Sequence, residues 1–316
     1  MKKPLILFDT DMDTDCDDAG ALAILLSAVR RGEASLLGIV CDAPDRYAGP
    51  ACDRLCRQYG VDCPIGTLYD SAYPAEESER FVRYRRNRAD NLREARQYTH
   101  VLAAECGRVD TDYPQAAVLY RRLLAGAADG SVTIVCVGLL TALDELLLSP
   151  PDEISPLSGR ELVARKVDRL ISMTNAAWPS VVNSNFNYDM DPIGSERVVA
   201  TCPVPIHASP DGGAVITGSG LSAALPQGHP LRTAYELYNE GQGRGRSSWD
   251  LLAVHYALWP QSGCFVANAR GQLRYTADEL RTDWLPDGGR ADREVRLQIP
   301  AEEMAARLDS LLNTGI

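Results

Sequence analysis

The chain of 316 residues contains only three lysines and no long apolar segment. No stretch approaches the ~18 apolar residues of a membrane-spanning helix, which argues against a membrane protein. The opening apolar run of residues 5–8 is also too short for the core of a secretory signal. The net charge of -11 argues against a nucleic-acid partner, because phosphate backbones are bound by basic surfaces.

The nine cysteines are odd in number and scattered along the chain. Cys52, Cys56 and Cys63 lie close together in sequence, but no second cysteine pair or histidine doublet completes a zinc-binding pattern. Most of the others lie inside apolar segments, which is typical of reduced thiols in a protein core. We therefore predict a cytoplasmic protein.

Apolar segments typical of strands alternate with segments typical of helices. Strands are predicted at 5–8, 36–41, 63–66, 132–137, 167–174 and 204–208, and helices at 19–31, 49–59, 113–128, 141–148 and 195–202. This alternation predicts an α/β fold: a mainly parallel, Rossmann-like central sheet flanked by helices. From about residue 221 to 316 the pattern is more helical, with one strand pair near 264–275. Because we find no repeat or linker, we expect a single domain over residues 1–316.

Six aspartates fall within ten residues, from Asp9 to Asp18, between the first predicted strand and the first predicted helix. In an open α/β sheet this junction lies at the carboxyl end of a strand, where ligands bind. Carboxylates so close together repel one another, and a divalent cation removes that penalty. Hard carboxylate oxygens suit Ca²⁺ or Mg²⁺. Asp17 and Asp18 also stand at a helix N-terminus, where negative charge is favoured.

Residues 5–14 also look like the opening motif of haloacid-dehalogenase-type phosphatases, which place a nucleophilic and an acid/base aspartate two residues apart. That motif usually has glycine where this chain has Asp13. It also requires a later lysine and a downstream acidic pair. Lys166 is the only lysine after residue 3, and no such pair follows it. The phosphatase hypothesis is therefore the more distant alternative.

The continuation Asp17–Ala23 favours a different family over the phosphatases. With the aspartates before it, it resembles the nucleoside hydrolase signature DTDPGxDDAxAL, in a form with two extra residues before the DD pair. Four more segments resemble family motifs in the same order: Val137–Leu143 (GPLTNLA), Met173–Asn175 (MGG), Asn185–Pro192 (EFNxxxDP) and Ser248–Val254 (HDxxAVA). The five matches span about residues 5 to 260. The chain thus resembles a divergent member of the inosine-uridine preferring nucleoside hydrolases.

The resemblance implies calcium-dependent hydrolysis of the N-glycosidic bond of a ribonucleoside or related ribosyl compound, giving ribose and free base. It further implies a role in purine or pyrimidine salvage and assembly as a homodimer or homotetramer. The implied calcium ligands are Asp11, Asp18, the backbone carbonyl of Thr141, and Asp250. Asp17 is the implied general base that takes a proton from the attacking water. In an ungapped register Asp13 would replace Asp11; we favour Asp11 because the strand must end at the first aspartate.

Several positions depart from the family pattern on the substrate side. Besides the metal, the implied ribose contacts are Asn187, Asp45, which replaces an asparagine, and Asn185, which replaces a glutamate. Trp249 replaces the histidine that acts as leaving-group acid in one branch of the family. Trp249 and Trp178 are each either core aromatics or rings that stack on a base.

These departures leave the substrate open. Of the four histidines only His229 is worth testing as a replacement acid. The arginine-rich stretch 80–96 is a solvated face, or a lid over an anionic substrate such as a phosphorylated ribosyl compound. A ribose- or nucleoside-binding protein with little or no turnover is the alternative of a different class.

Overall fold

The computed structural model describes residues 3–68, 79–91, 96–108, 112–174, 180–182, 185–268 and 270–314. The strands are β1 (Leu5–Thr10), β2 (Ser35–Cys41), β3 (Ile65–Thr67), β4 (Val132–Cys136), β5 (Val167–Ser172), β6 (Ser180–Val182), β7 (Ile206–Ala208), β8 (Ile216–Thr217), β9 (Arg246–Ser247), β10 (Phe265–Ala267), β11 (Gln272–Thr276), β12 (Arg281–Leu285) and β13 (Arg293–Leu297). The helices are α1 (Asp17–Arg30), α2 (Ala48–Tyr59), α3 (Val82–Asn91), α4 (Tyr98–Cys106), α5 (Ala116–Gly126), α6 (Thr141–Leu148), α7 (Gly159–Lys166), α8 (Phe186–Met190), α9 (Pro192–Thr201), α10 (Leu221–Ala224), α11 (Pro230–Tyr238), α12 (Trp249–Leu258) and α13 (Ala301–Asn313).

Eight strands form the central sheet in the order β10-β13-β7-β5-β4-β1-β2-β3. Neighbouring strands are parallel except at the edge, where β10 pairs antiparallel with β13. This confirms the predicted fold class. The chain runs outward from β1 to β3 on one side and from β4 towards β13 on the other. Ligands bind α/β sheets at such a reversal, here beyond the carboxyl ends of β1 and β4.

Both faces of the sheet are covered by apolar cores. Alternate residues of β1 enter opposite cores, with Ile6 and Phe8 on one face and Leu7 on the other. Helices α1, α2, α11, α12 and α13 cover the first face, and α5, α6, α7 and α9 cover the second. Burial on both faces explains why these strands are continuous apolar runs. Helix α1 is buried from its first residue to Ala28, so it carries Asp17 and Asp18 into the interior.

The C-terminal part contains helices α10 to α13 together with more strands than the sequence pattern predicted. The expected strand pair near 264–275 was wrong in its partners. Strand β10 pairs with β13, and β11 pairs with β12. Strand pairing is non-local, so the apolar pattern located two of these strands but not their neighbours. Among the described residues, no helix is long and apolar enough to cross a bilayer.

Gly138, just after β4, packs against the end of β1. A Cβ atom there would lie 2.3 Å from the backbone nitrogen of Asp11 and 2.7 Å from the carbonyl carbon of Thr10. Backbone atoms cannot rotate away, so we expect Gly138→Ala to lower the free energy of unfolding by about 1–3 kcal/mol. Urea denaturation measures this. The matched control is Gly126→Ala, where no atom lies within 4 Å of the added methyl group; an equal loss in both variants would contradict the prediction.

Candidate functional site

A group of buried carboxylates lies at the carboxyl end of β1. Oxygens of Asp17, Asp18 and Asp250 all lie within 4.8 Å of one another, and each side chain is at most 2% exposed. Helix α1 supplies the first two, and the first turn of α12 supplies Asp250. Asp11, in the turn after β1, lines the same cavity of about 380 Å³. Four carboxylates separated by up to 239 residues in sequence thus line one cavity.

Hydrogen bonds fix part of this group and leave part of it open. The hydroxyl of Thr10 donates to Oδ1 of Asp18, and the backbone N–H of Asp250 donates to Oδ2 of Asp17 at 3.1 Å. Oδ2 of Asp18 and Oδ1 of Asp250 are buried and have no hydrogen-bond partner among the described residues. A buried carboxylate oxygen without a partner is costly. These two oxygens are therefore available to a cation.

The electrostatics of the group also favour a cation. Burial, with the nearby charge of Asp15, raises the pKa of Asp17 well above its usual range. Burial raises the pKa of Asp11 to about 7, and burial with neighbouring carboxylates raises those of Asp18 and Asp250 well above normal. Oxygens that bind one Ca²⁺ at about 2.4 Å lie no more than about 5 Å apart. The spacing of the Asp17, Asp18 and Asp250 oxygens, within 4.8 Å of one another, and the all-oxygen donor set fit that ion.

Asp11 and Asp13 face different surroundings. Asp11 lines the cavity and accepts a hydrogen bond from the hydroxyl of Thr14 at 2.7 Å. Asp13 accepts from the hydroxyl of Thr99 at 3.0 Å and pairs with Arg88 at 3.1 Å. Its φ of 146° lies in the region that favours glycine, and the family signature has glycine at this position. The geometry therefore favours Asp11 over Asp13 as the residue turned towards a metal.

Thr141, the implied backbone ligand, does not lie among the described residues that line the cavity. It is the first residue of α6, and its hydroxyl donates to Asp191 at 2.8 Å. From the same segment it is Val137, directly after β4, that lines the cavity. Its carbonyl accepts a hydrogen bond from Nδ2 of Asn187 at 2.6 Å. The sequence signal for Val137 is its place at the carboxyl end of a strand.

Asp9, Asp42 and Cys136 form a second group of potential metal ligands beneath the first. Asp9 accepts a hydrogen bond from the hydroxyl of Tyr120, and the Cys136 Sγ lies 3.7 Å from Asp9 Oδ1 and 3.9 Å from Asp42 Oδ2. Burial, followed by the adjacent Asp9, raises the pKa of Asp42 well above its usual range. Calcium prefers oxygen ligands, and the thiol of Cys136 is a poor one, so this donor set fits the ion less well than the all-oxygen group. Oδ1 of Asp42 also has no hydrogen-bond partner among the described residues, but none of the three residues lines the cavity.

Solved structures match almost the whole chain. The inosine-uridine preferring nucleoside hydrolase from Bacillus anthracis superimposes with a TM-score of 0.67 at 15% identity, covering 99% of this chain and all of that one. The chain has the nucleoside hydrolase fold. The purine-preferring ribonucleoside hydrolase from Gardnerella vaginalis gives 0.67 at 14% identity over 98% of this chain and 99% of that one. The type III effector protein XopQ, complexed with adenosine diphosphate ribose, gives a TM-score of 0.66 at 12% identity. This match covers 100% of this chain and 95% of that one.

No protein-family model and no curated protein matches the sequence. The likeness to nucleoside hydrolases that the five motifs suggested is confirmed by the structural matches. At these low identities the roles of individual residues are judged from this chain's own geometry.

The predicted sugar-side residues divide into two groups on the nucleoside hydrolase fold. Asn187 and Trp249 line the cavity. Asp45 instead accepts from Nη1 of Arg88 at 2.6 Å and from the backbone N–H of Tyr47, so both of its oxygens are engaged. Asn185 is buried beside the cavity, and neither polar atom of its side chain has a partner among the described residues. Trp178 lies outside the described residues.

Helix α3 forms one wall of the cavity through Tyr84, Asn87 and Arg88. Just before this helix, Arg80 pairs with Asp144 and Asp191, both at 2.6 Å and both almost fully buried. Within residues 80–91, the described part of this stretch before Arg96, the side chains of Arg80, Tyr84 and Arg88 reach inward, so this part is not simply a solvated face. The lid hypothesis concerns this wall.

The cavity lining also contains Tyr238 and Arg246, which sequence reasoning missed. Trp249 and Arg96, which line it with them, were predicted as a substrate contact and as part of the arginine-rich stretch. Arg246 begins the two-residue strand β9, four residues before Asp250, and follows a glycine-rich segment where no periodic pattern marks it. A charged residue shortly before a predicted metal ligand was the available signal.

The remaining sequence hypotheses concern residues away from the cavity. His229 is buried against the edge of the Tyr59 ring, with centroids 6.0 Å apart, and burial lowers its pKa to about 4. A neutral, buried imidazole outside the cavity is unsuited to protonating a leaving group. Lys166 binds Asp129 at 2.9 Å, at the amino-terminal end of β5. It therefore cannot serve Asp9 and Asp11 as the lysine of a phosphatase site.

The stability of the calcium-free protein should fall as pH rises. Burial raises the pKa of Asp9 to about 6 and that of Asp11 to about 7, from 3.8 in a solvated aspartate. Protons are thus bound more tightly in the folded state, so this stabilisation is complete below about pH 4 and is lost through pH 6 and 7. Saturating calcium should reverse the trend, because the metal binds the deprotonated carboxylates. Thermal unfolding from pH 4 to 8 with EGTA or calcium measures both slopes; parallel slopes would contradict the prediction.

Proposed function

We propose that this protein is a calcium-dependent N-ribohydrolase, which cleaves the N-glycosidic bond of a ribonucleoside or related ribosyl compound to give ribose and free base. The observation that carries the proposal is the convergence of Asp11, Asp17, Asp18 and Asp250 on one cavity, with two buried oxygens left without partners. The predicted setting is cytoplasmic purine or pyrimidine salvage, with the protein as a homodimer or homotetramer.

The ligands that fit calcium are the carboxylates of Asp11, Asp18 and Asp250 and the carbonyl of Val137, which we propose in place of Thr141. When bound there, calcium would neutralise these carboxylates and lower the pKa of a water molecule in the site. The cavity lining contains both carboxylate oxygens and the aromatic rings of Tyr84, Phe186, Tyr238 and Trp249. That combination suits a sugar held by its hydroxyls and a flat leaving group.

Asp17 is the proposed general base. Its Oδ2 is held by the backbone N–H of Asp250, which fixes the carboxylate at the cavity wall. Its raised pKa makes this carboxylate a stronger proton acceptor than a solvated aspartate. Attack of water at the anomeric carbon then breaks the carbon–nitrogen bond, and the leaving group, the free nucleobase, takes the bonding electrons. Asn187, which is fixed to Val137, is placed to orient a ribose hydroxyl.

The experiment is a reducing-sugar assay of the calcium-loaded protein on purine, pyrimidine and phosphorylated ribosides, with the free base identified by chromatography. Stoichiometric release of ribose and base from at least one riboside is expected. Calcium binding is measured on the same sample by titration calorimetry. Calcium binding without release of base from any riboside would contradict the hydrolase and favour a binding protein.

One observation keeps the binding-protein alternative in view. XopQ, which has this fold, is described in complex with adenosine diphosphate ribose. The cavity also lacks, among the residues described, the histidine that Trp249 replaces. A nucleoside- or ribosyl-binding protein would retain ligand affinity in the Asp17→Asn variant and show no turnover in either form.

A further inference from the structure

Part of the cavity lining is an arginine shelf, formed by Arg96, Tyr238, Arg246 and Trp249. The guanidinium of Arg246 lies 5.4 Å from the ring centroid of Tyr238 and 5.3 Å from that of Trp249. Arg96 lies 5.5 Å from the centroid of the same Tyr238 ring. All four side chains line the cavity that contains the carboxylate group. Cation–π contacts of this kind hold guanidinium groups in place and leave their N–H edges free.

Arg246 is held in place by hydrogen bonds to Asp15, and the N–H groups of its Nη1 are left to bind a ligand. Its Nε donates to both oxygens of Asp15, at 2.9 and 2.7 Å, and its Nη2 donates to the same carboxylate. Nη1 has no hydrogen-bond partner among the described residues. The guanidinium therefore presents one N–H₂ edge from an anchored position, which is how arginine recognises an oxyanion.

Arg96 is held more loosely. Within the described part of the chain its one ionic contact joins Nε to Glu240 at 3.3 Å, with the two side chains 35% and 31% exposed. Such a half-exposed pair contributes little and exchanges readily. Both η nitrogens of Arg96 have no hydrogen-bond partner among the described residues. An anion of higher charge density could take the place of Glu240.

Two other arginines of the 80–96 stretch, Arg80 and Arg88, are committed elsewhere. Arg88 uses Nε and Nη2 on Asp13 and Nη1 on Asp45, so two buried carboxylates occupy all three nitrogens. Arg80 is bound to Asp144 and Asp191. These two residues position the wall and have little left for a ligand. Of the described arginines that line the cavity, those of the shelf keep unused donors.

We propose that the arginine shelf binds a phosphate group carried by the ribosyl substrate, with Arg96 and Arg246 as its ligands. The inference rests on the proposed function, because it assumes that the carboxylate group holds a ribose in the same cavity. Phosphate oxygens accept the paired N–H groups of two guanidiniums, whereas an uncharged nucleoside leaves them unmatched. The phosphate lies on carbon 5 of the ribose or on the leaving group that is attached to the anomeric carbon.

The test compares the affinities of ribose, ribose 5-phosphate and ribose 1-phosphate for the calcium-loaded protein by titration calorimetry. Neither phosphate contains an N-glycosidic bond, so binding is measured apart from the proposed hydrolysis and either result can fail alone. Hydrogen bonds to charged groups correspond to about 10- to 100-fold in affinity. At least one sugar phosphate should therefore bind at least about tenfold more tightly than ribose, and that sugar identifies the position of the phosphate.

Arg96→Gln should remove most of the affinity advantage of the sugar phosphate over ribose, without changing the affinity for ribose itself. Arg244→Gln is the matched control: it makes the same charge change nearby, on a residue that is exposed and outside the cavity lining. If Arg96→Gln unfolds, Arg96→Lys preserves the charge and should keep part of the advantage. Equal affinities for ribose and both phosphates in the wild type would overturn the proposal. An advantage that survives in Arg96→Gln, or falls equally in Arg244→Gln, would also overturn it.

Discussion

Replacing Asp17 with asparagine is expected to lower kcat by about 10²- to 10⁴-fold, the usual contribution of a general base. Asparagine has the same shape, and its side-chain oxygen can still accept the hydrogen bond from the N–H of Asp250. It cannot accept the proton of the attacking water. Steady-state ribose release measures kcat, and calorimetry measures calcium affinity, which should change much less than kcat.

The control for this substitution is Asp211→Asn. Asp211 is exposed and accepts a hydrogen bond from Nε1 of Trp249 at 2.9 Å, so the same change of charge occurs at the cavity rim. Its kcat should stay within a few-fold of the wild type. An Asp17→Asn variant that keeps more than a tenth of the wild-type kcat would assign the base to another residue, with Asp11 as the next candidate.

Asp250→Asn should weaken calcium binding by at least about 100-fold, because it removes a charged oxygen ligand from the first coordination sphere. Hydrolysis should disappear at micromolar calcium and return in part at millimolar calcium. The calcium-free protein should become more stable, because burial and the carboxylate of Asp17 oppose ionisation and hold the pKa of Asp250 well above normal. Calcium calorimetry and thermal unfolding measure the two effects.

Asp42→Asn distinguishes the two groups of potential ligands. Asp42 belongs to the group with Asp9 and Cys136, none of which lines the cavity, and asparagine keeps the shape of its side chain. Calcium affinity should therefore stay within a few-fold of the wild type. Loss of calcium binding in Asp42→Asn with retention in Asp250→Asn would move the metal to the lower group.

The local part of the site could be predicted from sequence because its signals are local. The apolar runs of β1 and α1 flank the aspartates and place them at the end of a buried strand. The arrival of Asp250 from the far end of the chain came only from the resemblance. It depends on α12 packing against α1, which no local pattern shows.

The errors and omissions arise where side chains respond to distant partners. Asp45 follows β2 as predicted, yet it turns towards Arg88, which comes 43 residues later. The segment after β4 was located correctly, but the motif does not tell which residue faces the cavity, and the geometry favours Val137 over Thr141. Arg246 begins the short strand β9 after a glycine-rich segment without periodicity, so its contact with Asp15 is apparent only in three dimensions.

The most direct test of the account is ribose release from one preparation before chelation, after removal of calcium with EGTA, and after calcium is restored. The account predicts release that is lost on chelation and recovers with calcium. The reason is that the buried carboxylates of Asp11, Asp18 and Asp250 need a counter-ion. In the cavity lining that the structure describes, the cationic side chains are arginines already paired with other carboxylates. Release that continues unchanged in EGTA would contradict the account, as would its absence with every riboside while calcium is bound.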